Sequence, residues 1–280
     1  MSFSYSGSDS RALSSVSLSV PDGDFLGIVG PSGAGKSTLT YAINGVIPHH
    51  YRGDFYGTVE VDGMDTVETA PQKLALRVGS VFADVEAQLL ASIVEDELLF
   101  GLENFGVPED EIEHRIEGAL AAAGISGLRR RATNGLSGGQ KQKVAIAAIL
   151  ALEPAIIVMD EPTGELDPKS SRNIFELMRE LNQKRGVTVI IVEQKSAMLC
   201  EFARRLAVMD EGRIVMAGPV RDVLRETEIL ESAGVEIPKI AMLAGGLRER
   251  GLYGGEVPLN LSGAASMMRD ALGLKPIRDQ

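Results

Sequence analysis

The chain has 280 residues, 44% of them hydrophobic, which is enough for one sizeable core plus a small appendage. Its 28 Lys+Arg against 39 Asp+Glu give a net charge of −11, which opposes non-specific attraction to nucleic acid or to anionic lipid. The longest mostly apolar stretch, 144–159, is broken by Glu153 and Pro154, so no run reaches the roughly eighteen residues of a membrane span. The start, Met-Ser-Phe-Ser-Tyr-Ser, lacks the basic and apolar parts of a secretory signal, and a lone Cys200 allows no internal disulfide. Both features predict a cytosolic protein whose attachment to any membrane runs through a protein partner.

In chain order, residues 2–5 read as a strand that begins in its middle, as if the start were assigned late. Next comes the apolar run FLGIVG (25–30), followed at once by GPSGAGKS (30–37) and the helical run STLTYAINGV. A strand, a glycine-rich loop and a helix in that order make a phosphate cradle. Gly30, Gly33 and Gly35 allow the backbone of Gly30–Pro31–Ser32–Gly33–Ala34–Gly35 to aim N–H groups inward, and the helix that begins with Ser37 and Thr38 adds its partial positive charge. Lys36 is expected to reach the β- and γ-phosphates of a nucleotide, and the Ser37 hydroxyl to ligate Mg²⁺.

VGSVF (78–82) predicts a second strand. The interval 92–150 then changes character: Pro108 opens a helix with Ile112, Ile116, Ala119, Leu120 and Ala123 on one face, and Gly124 closes it. A helical subdomain inserted into a sheet domain is the expectation. Within it, Leu136-Ser137-Gly138-Gly139-Gln140 precedes a helix, so a hydroxyl and two glycine N–H groups form an anion-binding nest. AIIVMD (155–160) delivers Asp160 and Glu161 at the end of a buried strand. Asp160 suits a Mg²⁺ contact and Glu161 a general base. VTVIIVE (187–193) and RLAVMD (205–210) add strands, and alternation with helices predicts an α/β fold with a mostly parallel sheet. Gly and Pro recur from about residue 218, so the expected division is 1–217 for the main domain and 218–280 for a small C-terminal extension.

With GPSGAGKS, LSGGQ and MDEPT together, the chain resembles the ABC ATPase family. The resemblance implies ATP and Mg²⁺ as ligands, hydrolysis of ATP, and a head-to-tail homo- or heterodimer. In that dimer Ser137, Gly138, Gly139 and Gln140 serve the nucleotide held by the partner. It implies that Tyr5 stacks on adenine and that Gly164-Glu165-Leu166-Asp167 stands for the family's D-loop, with Glu165 at a place that usually holds a small residue. Two positions depart from the pattern. Ala83 stands where the family has a metal-touching glutamine, a loss that Gln88 could make good only by bending back. Gln194 stands where a histidine normally bonds the γ-phosphate; its amide can donate a hydrogen bond but carries no charge.

The stretches NGVIPHHY (44–51), VEDELLFGLENFGVP (94–108) and GVEIPKIAMLAGGLRERGL (234–252) look like the ATPases of energy-coupling factor importers, the cobalt and nickel type included. That branch implies a transmembrane coupling subunit, a substrate-binding membrane subunit, a peripheral place on the cytoplasmic face, and a dimer-contacting C-terminal extension. His49-His50 reads as a solvated loop rather than a metal site, and Glu95-Asp96-Glu97 as either a solvated face or a docking groove for an arginine-bearing helix of the membrane partner. Two other readings stand beside this one: a nucleotide-binding subunit with a silent site, and a soluble ABC protein acting on nucleic acid or ribosomes, which the net charge disfavours.

Overall fold

A computed structural model describes residues 1–164, 166–194 and 196–274. In chain order the strands are β1 (Ser2–Tyr5), β2 (Phe25–Val29), β3 (Gly53–Tyr56), β4 (Glu60–Val61), β5 (Met64–Asp65), β6 (Val78–Val81), β7 (Ile156–Asp160), β8 (Thr188–Val192), β9 (Arg205–Asp210) and β10 (Arg213–Pro219). The five apolar runs singled out in the sequence become β2, β6, β7, β8 and β9 of one six-stranded sheet, ordered β10-β9-β2-β8-β7-β6. All neighbours in it are parallel except β10, which folds back antiparallel on β9. β2 and β8 are buried along their whole length, as strands covered by helices on both faces must be.

Two apolar layers flank the sheet. On one side Phe25, Val189, Ile191, Phe175, Met178, Leu199 and Phe202 pack together; on the other, Leu26, Ile28, Leu39, Val158, Ile190 and Phe3 do. Between β6 and β7 the chain leaves the sheet to form the helices Val94–Asn104, Glu109–Ala122 and Gly138–Ala151. These enclose a core of their own from Val94, Leu98, Leu102, Ile116, Leu120, Val144 and Ala147. The predicted apolar face of the middle helix is there, Ile116, Ala119, Leu120 and Ala123 buried and Ile112 partly so, with Gly124 ending it at φ 66°.

The expected division at 217/218 falls inside β10. Beyond it, Val220, Val223, Leu224, Leu230, Val235, Ile237, Ala241 and Val257 join the apolar layer of Phe175 and Leu199. Glycine and proline mark turns, and turns do not reveal which core the residues between them enter. The helices Lys239–Glu249 and Leu261–Ala271 follow. Cys200 lies in the same layer, its thiol pushed by burial up to about 12.

One buried amide ties the entry of the sheet together. Asn182, 4% exposed, donates to the carbonyls of Gly23, Asp24 and Val187 and accepts from Arg204. Asn182→Ala leaves these groups short of partners and is expected to destabilise the chain by about 2 kcal/mol. A shift of the urea midpoint at unchanged slope checks this, and an unshifted midpoint contradicts it.

Candidate nucleotide site

The sheet registers bring the site together. Ile28 on β2 and Asp160 on β7 both lie opposite Val192 on β8, so the three carboxyl-terminal ends stand level. Two backbone bonds lock the residues just past these ends: Glu161 N–H donates to the Val192 carbonyl at 2.9 Å and Glu193 N–H to that of Ile28 at 3.1 Å. The crevice outside the carboxyl ends of parallel strands is where such folds hold ligands.

From β2 the chain turns sharply through Gly30–Gly35 into the helix Lys36–Ile43. Gly30 has φ 158°, and a Cβ there would meet the Met209 carbonyl oxygen at 2.2 Å; Gly35, the left-handed cap of the helix, would meet that of Ala12 at 2.5 Å. Side chains are excluded at both places by backbone, so the loop can stay close to β9. Lys36 is buried, with Nζ donating to the carbonyls of Gly30 at 2.9 Å and Pro31 at 2.8 Å across the loop. Burial lowers its pKa, against the pull of Glu161 and Asp160, which face it. Pro31 and Ser32 line the outer side, Ala34 is buried, and Thr38 is buried in the first turn of the helix.

Asp160 is 3% exposed and its Oδ1 has no hydrogen-bond partner. Burial raises its pKa, the Ser37 hydroxyl opposes that, and the neighbouring Glu161 adds to it. Glu161 itself takes a left-handed backbone, φ 50°, a conformation that costs a non-glycine residue of order 1 kcal/mol and turns its side chain out of the strand direction. Its Oε1 accepts from Gln194 Nε2 at 2.7 Å. Thus Lys36, Ser37, Asp160, Glu161 and Gln194, predicted from three separate stretches, form one cluster.

Tyr5 reaches the same cluster from β1: its hydroxyl lies 3.0 Å from Thr38 Oγ1 and its ring meets Phe3 and Tyr51 edge-on. Gln88 does bend back, but both ends of its amide are held by backbone: Nε2 donates to the Ser80 carbonyl and Oε1 accepts from Phe82 N–H. It shapes the end of β6 and offers no free group beside Ala83. His49 is bonded through Nε2 to the Thr66 carbonyl, and among the described residues no group of three His, Cys, Asp or Glu could hold a metal. Glu165 lies outside the described residues.

Ser137, Gly138, Gly139 and Gln140 stand apart from this cluster. Ser137 is the N-cap of the helix Gly138–Ala151, exposed together with Gly138, and its N–H donates to Gln140 Oε1 at 3.0 Å. Gln140 therefore caps its own helix, and among the described residues no hydrogen bond joins this tip to the P-loop.

These motifs meet their counterparts in known proteins. The ABC transporter family pattern matches residues 13–164. The chain belongs to the ABC transporter family. The energy-coupling factor transporter ATP-binding protein EcfA1 of Caldanaerobacter subterraneus subsp. tengcongensis is 38% identical over 90% of each chain. CbiO1 from Clostridium perfringens, part of the ABC transporter complex CbiONQ, superposes with a TM-score of 0.72 at 32% identity, covering 86% of this chain and 95% of that one. A dimeric ATP-binding cassette in a post-hydrolysis state bound to ADP and Pi superposes with a TM-score of 0.69 at 28% identity, over 79% and 95%.

For this ABC transporter ATP-binding subunit the buried, unpartnered Asp160 Oδ1 beside Ser37 is the observation that fits a cation such as Mg²⁺, since a charge buried without partner is otherwise costly. Two contributors were not read from the sequence. Glu193, 4% exposed, accepts from Thr163 N–H and Oγ and so fixes the loop after Glu161; a carboxylate ending an otherwise apolar strand was the available signal. Tyr41, half-buried one helical turn after Ser37, carried no signal except that spacing.

Because burial holds the Asp160 pKa above its ordinary value, the folded protein takes up that proton before the unfolded chain does as pH falls. The charged form therefore costs stability at neutral pH; the cost shrinks as pH falls through the raised value and is gone only below the ordinary carboxylate value. Asp160→Asn is expected to raise the melting temperature of the nucleotide-free chain at pH 7, with the gain shrinking toward acid pH. An equal or lower melting temperature at pH 7 contradicts this.

Proposed function

We propose that this subunit hydrolyses Mg·ATP to power uptake through an energy-coupling factor type importer, as one half of an ATPase dimer seated on the cytoplasmic face of its membrane partners. The observation that carries the reading is the split site: Lys36, Ser37, Asp160 and Glu161 converge at one edge of the sheet while the LSGGQ tip is exposed and unconnected to them. A P-loop and a nest that do not meet within one chain make sense when two chains pair head to tail.

In this reading the P-loop N–H groups and Lys36 grip the β- and γ-phosphates. Lys36 must release the Gly30 and Pro31 carbonyls to do so, which makes it a ready cation held in place by weak bonds. Ser37 and Asp160 would hold Mg²⁺, which would supply charge neutralisation to the phosphates. Glu161 accepts the proton of the attacking water, and Gln194, bonded to it, orients its carboxylate toward the γ-phosphate. Ser137, Gly138 and Gly139 complete the site of the opposite subunit. Tyr5, anchored on Thr38, offers its ring to the base.

No helix among the described residues is long and apolar enough to cross a membrane. The partner is met instead beside the helix Val94–Asn104, where Leu90 and Phe100 are 70% and 50% exposed. The acidic run, read as either a solvated face or a groove for the partner's arginines, is largely engaged within the chain: Glu97 accepts from Leu90 and Ala91 N–H, and Glu95 pairs with Arg129 and Arg130. Asp96 remains exposed. Residues beyond 218, sharing the main core, carry exposed Met242, Leu243, Leu252 and Leu261 to a dimer contact.

A second reading, a silent half-site in a heterodimer, is favoured by Ala83 and by the Gln194 amide occupying Glu161 Oε1. Phosphate release by the complete transporter in membranes separates the two. Glu161→Gln is expected to lower the rate by about 10² to 10⁴ with ATP binding intact, and the Ala83→Gln, Gln194→His double variant to raise it. Indifference of the rate to both changes, with ATP still bound, assigns this chain the silent half.

A further inference from the structure

A divalent cation at Ser37 and Asp160 would have few protein ligands, so several of its positions are water, and those waters need second partners. Around this point most polar groups are already committed. Ala83 has no polar side-chain atom, Gln88 is closed on Ser80 and Phe82, Thr40 donates to the Ser37 carbonyl, and Asn44 donates to Ser80 Oγ.

Tyr41 is not committed. It follows Ser37 by four residues on the helix Lys36–Ile43, which puts the two on the same face, one turn apart. Its hydroxyl makes no hydrogen bond among the described residues. Its ring is held between two others, 5.5 Å from that of Tyr51 and 6.1 Å from that of Phe82, so the hydroxyl has a fixed place and little freedom to turn to solvent. Burial, Tyr51, Asp160 and Tyr5 all push its pKa up. The side chain therefore stays a neutral donor and acceptor near the Asp160 carboxylate. A helix-face position, a clamped ring and an unpaired hydroxyl are more than packing requires, because a phenylalanine would fill the same space.

We infer that Tyr41 is a positioning residue for the metal: its hydroxyl hydrogen-bonds the water shell of the cation held by Ser37 and Asp160. The inference rests on the Mg·ATP reading above and adds a residue to it. Tyr41 touches neither phosphate nor the cation, so it acts on the metal-dependent part of nucleotide affinity and on nothing else.

Calorimetric titration of the full chain with ATP tests this, in excess Mg²⁺ and again in EDTA, using the Glu161→Gln background to prevent turnover. Tyr41→Phe keeps the ring contacts and is expected to lower the ratio of affinities with and without Mg²⁺ about fivefold, the worth of one hydrogen bond, leaving the EDTA value unchanged. A ratio within about twofold of the parent overturns the inference, as does an equal loss in both arms, which marks a packing role. Absence of ATP binding by the Tyr41-containing parent in both arms overturns the nucleotide reading itself, and the role of Tyr41 with it.

Discussion

The level ending of β2, β7 and β8 is the constraint on which the site depends. Parallel pairing sets Ile28, Asp160 and Val192 side by side, and the bonds from Glu161 and Glu193 to the next strand extend that alignment one residue past the sheet. A slip of one residue in β7 would turn Asp160 from the crevice to the opposite face, and a slip of β2 or β8 would displace the ends beside it. The full burial of β2 and β8 prevents this, since a slip would break both apolar layers at once. The geometry of the candidate site is thus enforced by hydrophobic packing.

The site also runs against stability locally. Asp160 is buried with an oxygen unpaired, Lys36 is buried with its charge met mainly by carbonyls, and Glu161 holds a left-handed backbone. The first two are electrostatic costs of the kind that bound phosphate and a cation would relieve; the third is a backbone cost that neither alters. Ligand binding and local stability are coupled there by the same groups, as expected of a site shaped for something the chain does not itself contain.

Much of the fold could be read from the residues because parallel sheets write themselves as uninterrupted apolar runs, and the runs at 25–30, 155–160 and 187–193 each end at the candidate site. The phosphate loop was legible because its glycines answer a steric need, visible as the Met209 carbonyl against Gly30. What the sequence hid were interactions between side chains distant along it. The Gln194–Glu161 bond, the grip of Glu193 on Thr163 and the closure of Gln88 on β6 all depend on rotamers, which no spacing rule encodes. The C-terminal boundary was hidden for another reason: the apolar residues after 218 recur at helical spacing, but spacing does not tell which core a helix fills, and these join that of the main domain.

Cys200 gives the molecule a practical property. It is the one cysteine in the chain, fully enclosed between sheet and helix, with its thiol held protonated by burial. Thiolate is the form that reacts with maleimides and oxidants, so the native chain is silent to them. Single cysteines introduced at exposed positions away from the candidate site can therefore carry a fluorophore pair with Cys200 left in place. The head-to-tail pairing proposed above would then be read in real time as energy transfer between two labelled chains.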